Sequence, residues 1–179
     1  MTKINNISFN DAPAFEGDGR HKAMIDFYRQ AVQLTELGGA DNPQMRYYKS
    51  LLDCARPVRV VSASEVWSPD EVKQLRDSIR PAKKECYRTA ALLTIATNGE
   101  ARYVEGQMWT VCLGVDHAFN YIPSKGVCVD FTAEFALGRK PEDGAYIGFK
   151  DFSYSQLWNI IQKNGYYGNI YNEVFFLNK

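Results

Sequence analysis

The sequence carries no excess of charge of either sign. Its 179 residues contain 21 Lys and Arg together and 21 Asp and Glu together. Binding to nucleic-acid phosphates normally shows as a clustered excess of basic residues. We therefore expect no nucleic-acid partner, although a basic face within a balanced total is compatible with this composition.

Long apolar runs are also missing. The N-terminal stretch MTKINNISFNDAPAF has no apolar core of the length that a signal peptide needs, and no stretch reaches the roughly 18 to 20 apolar residues of a membrane span. We expect a cytoplasmic protein without a membrane partner. The length and the 45% apolar fraction are typical of a single globular domain, here residues 1–179.

Cysteine and histidine are scarce. The two histidines are His21 and His117. The cysteines lack CxxC spacing and are expected to stay mostly reduced in the cytoplasm; they are Cys54, Cys86, Cys112 and Cys128.

The first half of the chain has the signals of α-helices. Residues 20–37 space their apolar side chains at intervals of three and four, with Gly38 and Gly39 as a stop, and residues 42–55 repeat this pattern. In SPDEVKQLRDSIRP, Ser68 is the expected N-cap and Pro69 the first helical residue. Residues 1–82 are thus predicted to be mainly helical.

The second half changes character. After a helix from Cys86 to about residue 97, the stretches ARYVEGQM, TVCLGV, HAFNYI and VCVDFT indicate an antiparallel sheet. A last helix is predicted between a Ser153 cap and residue 164, with the aromatic tail ending as a strand. The order of elements predicts an α+β fold, with residues 83–179 as a catalytic-type core.

Cys86 is the candidate nucleophile. At a helix N-terminus, the dipole and free backbone N–H groups lower a thiol pKa and can hold an oxyanion. If residues 122–125 form a four-residue loop, His117 lies opposite Asp130 across a hairpin. Asp130 would then orient His117 as the base for Cys86, as in a catalytic triad.

This order of residues resembles the papain-like superfamily, especially its transglutaminase-like branch of cysteine peptidases, amidases and acyltransferases. Over residues 83–165, the stretches ECYRTAALL, RYVEGQM, DHAFNYI, VCVDFT and AYIGFKDFSYSQL are similar to a small family of uncharacterised bacterial and phage proteins. The resemblance implies a papain-like core that hydrolyses or transfers acyl groups at amide or peptide bonds of a protein or peptide. It implies neither a cofactor nor a metal.

The chain departs from papain in one respect. Papain carries a glutamine a few residues before its cysteine for the oxyanion, whereas Arg80 occupies that offset here and Gln74 lies too far upstream. The side-chain oxyanion donor stays open. The backbone N–H of Cys86 is the alternative that its helix position favours.

Glu105, Gln107 and Trp109 are the candidate substrate-binding residues. Glu105 either lines the cleft near Cys86 or points outward, and Gly106 beside it permits close approach of another backbone. Aromatic side chains form either groove walls or core; they are Trp109, Tyr121 and Tyr146.

Other interpretations remain open. Cys86 alone is more often a buried structural residue, and Cys54 is interpreted as helix packing. Cys112 and Cys128 are offset in the proposed register, which disfavours a disulfide. A zinc site of Cys86, His117 and Cys128 lacks compact ligand pairs. The second candidate function is a non-catalytic protein-binding factor on a papain-like scaffold, for example a phage-encoded one.

Overall fold

The computed structural model describes residues 8–12, 14–37, 43–109, 114–165 and 167–170. The helices are α1 (Gly19–Glu36), α2 (Pro43–Cys54), α3 (Pro69–Ile79), α4 (Cys86–Ala96) and α5 (Tyr154–Asn164). The strands are β1 (Arg56–Val58), β2 (Val60–Val61), β3 (Arg102–Trp109), β4 (Gly114–Ile122), β5 (Val127–Val129) and β6 (Ala145–Phe152). The α+β class is therefore confirmed.

Two helices begin at the N-cap residues that the sequence predicts. Ser68 and Ser153 each accept a hydrogen bond from the backbone N–H three residues later, and each forms a capping box with Glu71 or Gln156. None of the described helices has both the length and the apolarity that crossing a membrane requires. Gly38, Gly39 and the predicted C-terminal strand lie outside the described residues.

The sheet is mixed, so the prediction of an antiparallel sheet is wrong for one pair. The strand order is β1-β6-β3-β4-β5-β2, and β2 runs parallel to β5. β1 and β2 lie in the portion predicted to be helical. They span three and two residues, which is too short for an alternating pattern to identify them.

The sheet curls so that its two edges approach each other. β1 and β2 occupy opposite edges of the strand order but are separated in the chain by Arg59 alone. The Arg59 carbonyl also accepts a hydrogen bond of 2.8 Å from the N–H of Cys128. The enclosed core contains Phe9, Val58, Val60, Val104, Met108, Phe119, Tyr121, Cys128 and Tyr146.

The predicted hairpin register is wrong by two residues. Tyr121 pairs with Cys128 rather than Gly126, and the loop occupies residues 123–126. Gly126 adopts a positive φ of 68°, which favours glycine and makes it the last loop residue rather than the first strand residue. A two-residue shift preserves the face of every side chain, so His117 and Asp130 still point to the same side.

Helix α4 packs on β3 and β4. Its apolar side is small, with Ala90, Ala91 and Leu93 buried, which lets the helix lie close to the sheet. Asn120 of β4 fixes the alignment because its Nδ2 donates to the Ala90 carbonyl at 2.9 Å and to Thr94 Oγ1 at 3.0 Å. This docking places the N-terminus of α4 against the middle of β4.

Candidate active site

The Cys86 sulfur contacts β4 at the point where the ladder to β5 has ended. Cys86 is the first residue of α4. The last β4–β5 pair is Asn120 with Val129. Beyond it, the Cys86 sulfur lies near the imidazole of His117 and the backbone N–H groups of Ala118 and Tyr87, which favour its ionised form. The thiol therefore has donors for its ionised form and a base beside it.

His117 bridges Cys86 and Asp130. Its Nε2 lies 2.7 Å from Asp130 Oδ2, and both side chains are buried. The carboxylate on Nε2 leaves Nδ1 as the ring nitrogen for the thiol. The structure thus brings together the three residues predicted to form the triad.

The Asp130 carboxylate is held by four donors. Oδ1 accepts hydrogen bonds of 3.0 Å from the N–H groups of Thr132 and Ala133. Oδ2 accepts from His117 and, at 2.9 Å, from the hydroxyl of Tyr146. Only 1% of Asp130 is exposed, and a buried carboxylate is stable only when hydrogen-bond donors replace the water that it has lost. Its orientation toward His117 is therefore fixed from several sides.

The electrostatics favour a thiolate–imidazolium pair. Burial raises the pKa of the Cys86 thiol, but the hydrogen bond and charge of His117 and two backbone N–H groups bring it below its ordinary value. Burial lowers the pKa of His117, whereas Asp130 and Cys86 raise it to about 10. Burial also raises the pKa of Asp130, but the charge and hydrogen bond of His117 and the other donors lower it by more, so it lies below its ordinary value. Both shifts are therefore in the direction that stabilises the charged pair.

Glu105 is 3% exposed, so the interpretation as an outward-facing residue is wrong. Its Oε1 accepts hydrogen bonds from the Tyr103 hydroxyl at 2.7 Å and from the N–H of Ile170 at 2.9 Å. The predicted role of Gly106 in backbone approach is confirmed. A Cβ at Gly106 would overlap the carbonyl oxygen of Ile147, and the β3–β6 register shifts at this position.

Gln107 and Trp109 lie on the face of β3 that the helical layer covers. Gln107 accepts a hydrogen bond from the hydroxyl of Tyr28 on α1 and donates one of 2.9 Å to Asp116 Oδ1. The Trp109 ring packs against Phe27, with ring centroids 5.9 Å apart. Both residues thus lie near β4 and contact other parts of the protein. Their role in substrate binding stays a prediction.

Tyr121 and Tyr146 belong to the enclosed core, as the core interpretation predicts. Tyr146 also borders a cavity of about 480 Å³, which Met108 and Ala133 line as well. The sequence reasoning missed the bond from Tyr146 to Asp130. No local signal reveals this bond, because the two residues come from segments that only the curled sheet brings together.

The remaining cysteines have structural surroundings. Cys54 packs between α2 and its neighbours, as predicted, and Cys128 lies in the enclosed core. Burial raises the pKa of the Cys128 thiol well above its ordinary range. In the described part of the chain no three His, Cys, Asp or Glu side chains are grouped to hold a metal ion, so Cys86, His117 and Cys128 form no such set. Cys112 lies outside the described residues.

The chain matches no protein-family model, no curated protein and no solved structure. The resemblance to the papain-like superfamily thus stays a prediction.

Proposed function

We propose that the protein is a cysteine-nucleophile hydrolase or acyltransferase that acts on amide or peptide bonds through Cys86, His117 and Asp130. The observation that carries the proposal is the continuous path from the Cys86 sulfur through the imidazole to a buried carboxylate. A nucleophile, a base and an orienting group in hydrogen-bond contact are the arrangement that thiol-dependent acyl transfer requires.

The steps follow from these positions. The Cys86 thiolate attacks the carbonyl carbon, and the negative oxygen that forms lies near the N-terminus of α4, where free N–H groups stabilise it. His117 gives its proton to the departing amine, which leaves a thioester on Cys86. Water or a second amine then attacks the thioester, with His117 accepting its proton and Asp130 holding the imidazole in place. The bond between the acyl carbon and the sulfur breaks, which releases the acid or amide product and restores the Cys86 thiolate beside the imidazolium.

The fold that we propose for this chemistry is a papain-like, transglutaminase-like core. The curled sheet with a cysteine-bearing helix docked on it supports this proposal. We further propose a cytoplasmic location, because a nucleophilic Cys86 must stay reduced, and the described cysteines are free. The substrate is a protein or peptide.

The burial of Cys86 is compatible with a second candidate function. Cys86 is only 9% exposed, which fits a non-catalytic protein-binding factor on the same scaffold as well as an enzyme. Reactivity separates the two, since a nucleophile must be reached by its substrate and a structural thiol need not be.

The test is alkylation of the full chain with iodoacetamide at pH 6, read at each cysteine by mass spectrometry. We expect Cys86 to react at least roughly tenfold faster than the half-buried Cys54, and His117→Ala to abolish the advantage. Cys54 is the internal control, because it lies at the end of α2 and its sulfur donates to the Ser50 carbonyl of that helix at 2.8 Å. Labelling of Cys86 no faster than Cys54 overturns the enzyme proposal and favours the binding factor.

A further inference from the structure

An exposed carboxylate precedes His117 on β4. Asp116 Oδ1 accepts a hydrogen bond of 2.9 Å from Gln107 Nε2, and the Tyr47 hydroxyl lies 3.5 Å from the same oxygen. Gln107 is itself held by the Tyr28 hydroxyl. These donors are neutral, so they orient the carboxylate without cancelling its charge. Among the described residues, no Lys or Arg forms an ion pair with Asp116.

Asp116 lies close to the reacting sulfur. It precedes by two residues Ala118, whose N–H contacts Cys86. Side chains two positions apart on a strand share a face, with Cα atoms about 7 Å apart. A substrate group that bonds to Asp116 therefore lies about two strand residues from the sulfur.

Aromatic rings border the carboxylate. Tyr87 follows Cys86 in the chain, and burial together with the charges of Glu105 and Asp116 raises the pKa of its phenol. Burial and the charge of Asp116 likewise raise the pKa of Tyr47. Both phenols thus experience the negative charge of Asp116, which a positive ligand group would offset.

An exposed apolar side chain lies on the same side of β3 as Gln107. Phe27 is 39% exposed and contacts the ring of Trp109, which is two residues from Gln107. Apolar surface of this kind suits the alkyl stem of a long side chain.

We propose that Asp116 binds a positively charged side chain of the substrate, of the lysine or arginine type, next to the bond that Cys86 attacks. The inference rests on the proposed function and assigns a substrate class to the same site. A carboxylate next to aromatic rings attracts an ammonium or guanidinium group through charge and through the ring faces. Asp116 is thus a specificity-determining residue, and substrates with a neutral or acidic group at this position bind less well.

The test uses three methanethiosulfonates that differ in charge, with methyl, trimethylammonium-ethyl and sulfonatoethyl groups, on the full chain carrying Cys54→Ser. Modification of Cys86 is followed by mass spectrometry at pH 7. We expect the cationic reagent to be favoured over the anionic one, and Asp116→Asn to reduce this ratio at least roughly fivefold. Normalising to the methyl reagent removes any change in the intrinsic reactivity of the thiol.

Glu100→Gln is the matched control, because it removes one exposed carboxylate at the opposite end of α4. The 11 residues of α4 put it about 16 Å or more from Cys86, where the charge is largely screened. An equal ratio in Asp116→Asn and the unchanged protein overturns the inference, as does an equal effect of Glu100→Gln. Slow reaction of the methyl reagent would instead count against the proposed function, and the charge ratio is then measured at pH 9.

Discussion

The hydroxyl of Tyr146 donates to the same carboxylate oxygen of Asp130 that binds His117, at 2.9 Å. Tyr146 comes from β6, whereas Asp130 follows β5 directly, and the strand order separates these strands by β3 and β4. The curl of the sheet makes the contact possible. The orientation of the candidate base therefore depends, through Tyr146 and Asp130, on the closure of the sheet.

Tyr146→Phe tests whether the hydroxyl of Tyr146 holds Asp130. The substitution keeps the ring in the core but leaves a buried carboxylate with one donor fewer. Hydrogen bonds to charged groups contribute about 1.5–3 kcal/mol, so we expect a loss of that size in the free energy of unfolding. Urea unfolding at pH 7 measures it. A stability within about 0.5 kcal/mol of the unchanged protein would show that the hydroxyl does not hold Asp130.

Asp130→Asn should raise the pH at which Cys86 becomes reactive. Burial lowers the pKa of His117, and the charge of Asp130 is the largest influence that raises it to about 10. Without that charge the imidazolium is less stable, and the thiolate loses its counter-ion. The pH dependence of iodoacetamide alkylation at Cys86 should move upward by at least roughly one unit. Asp77→Asn, an exposed site on α3, is the control and should leave the profile in place.

The raised pKa of His117 also predicts how stability depends on pH. A group whose pKa is higher in the folded state stabilises the fold fully below its unfolded pKa of about 6.5 and loses this effect as pH rises through the folded value. The contribution of His117 should therefore decline between about pH 6.5 and about pH 10. We expect Cys86→Ser to lose its stability advantage over Cys86→Ser/His117→Gln in urea unfolding as the pH rises above about 6.5, with the loss complete below about pH 10 because Cys86 no longer raises the pKa of His117. An advantage that stays constant or grows contradicts the raised pKa.

Local signals predict the elements around Cys86, but they do not predict the closure of the sheet. The cap at Ser68 and the apolar run after Cys86 are properties of short segments, so the helices form where expected. His117 and Asp130 share a face, as predicted, even though the loop was predicted at the wrong residues. The error in register is two residues, and strand side chains return to the same face every two residues. β1, β2 and the Tyr146 bond depend on pairing between distant segments, which no local pattern encodes.

Gly106→Ala should destabilise the sheet next to the candidate site. A Cβ at this position would collide with the carbonyl oxygen of Ile147, which is backbone and has no alternative rotamer. Either β6 moves away or the β3–β6 ladder breaks at its register shift. Overpacking of this kind costs about 1–3 kcal/mol, which we expect as the loss in the free energy of unfolding.

Gly19→Ala is the matched control for that substitution. Gly19 begins α1, and a Cβ there would have no neighbour within 4 Å. Alanine favours helix over glycine by up to about 1 kcal/mol, so Gly19→Ala should be neutral or stabilising. Thermal unfolding of both variants distinguishes a collision at Gly106 from a general effect of replacing glycine. Equal midpoints for the two variants would mean that β6 does not approach Gly106 as closely as the structure describes. Since β6 carries Tyr146, a shifted β6 should also slow alkylation of Cys86 in Gly106→Ala alone.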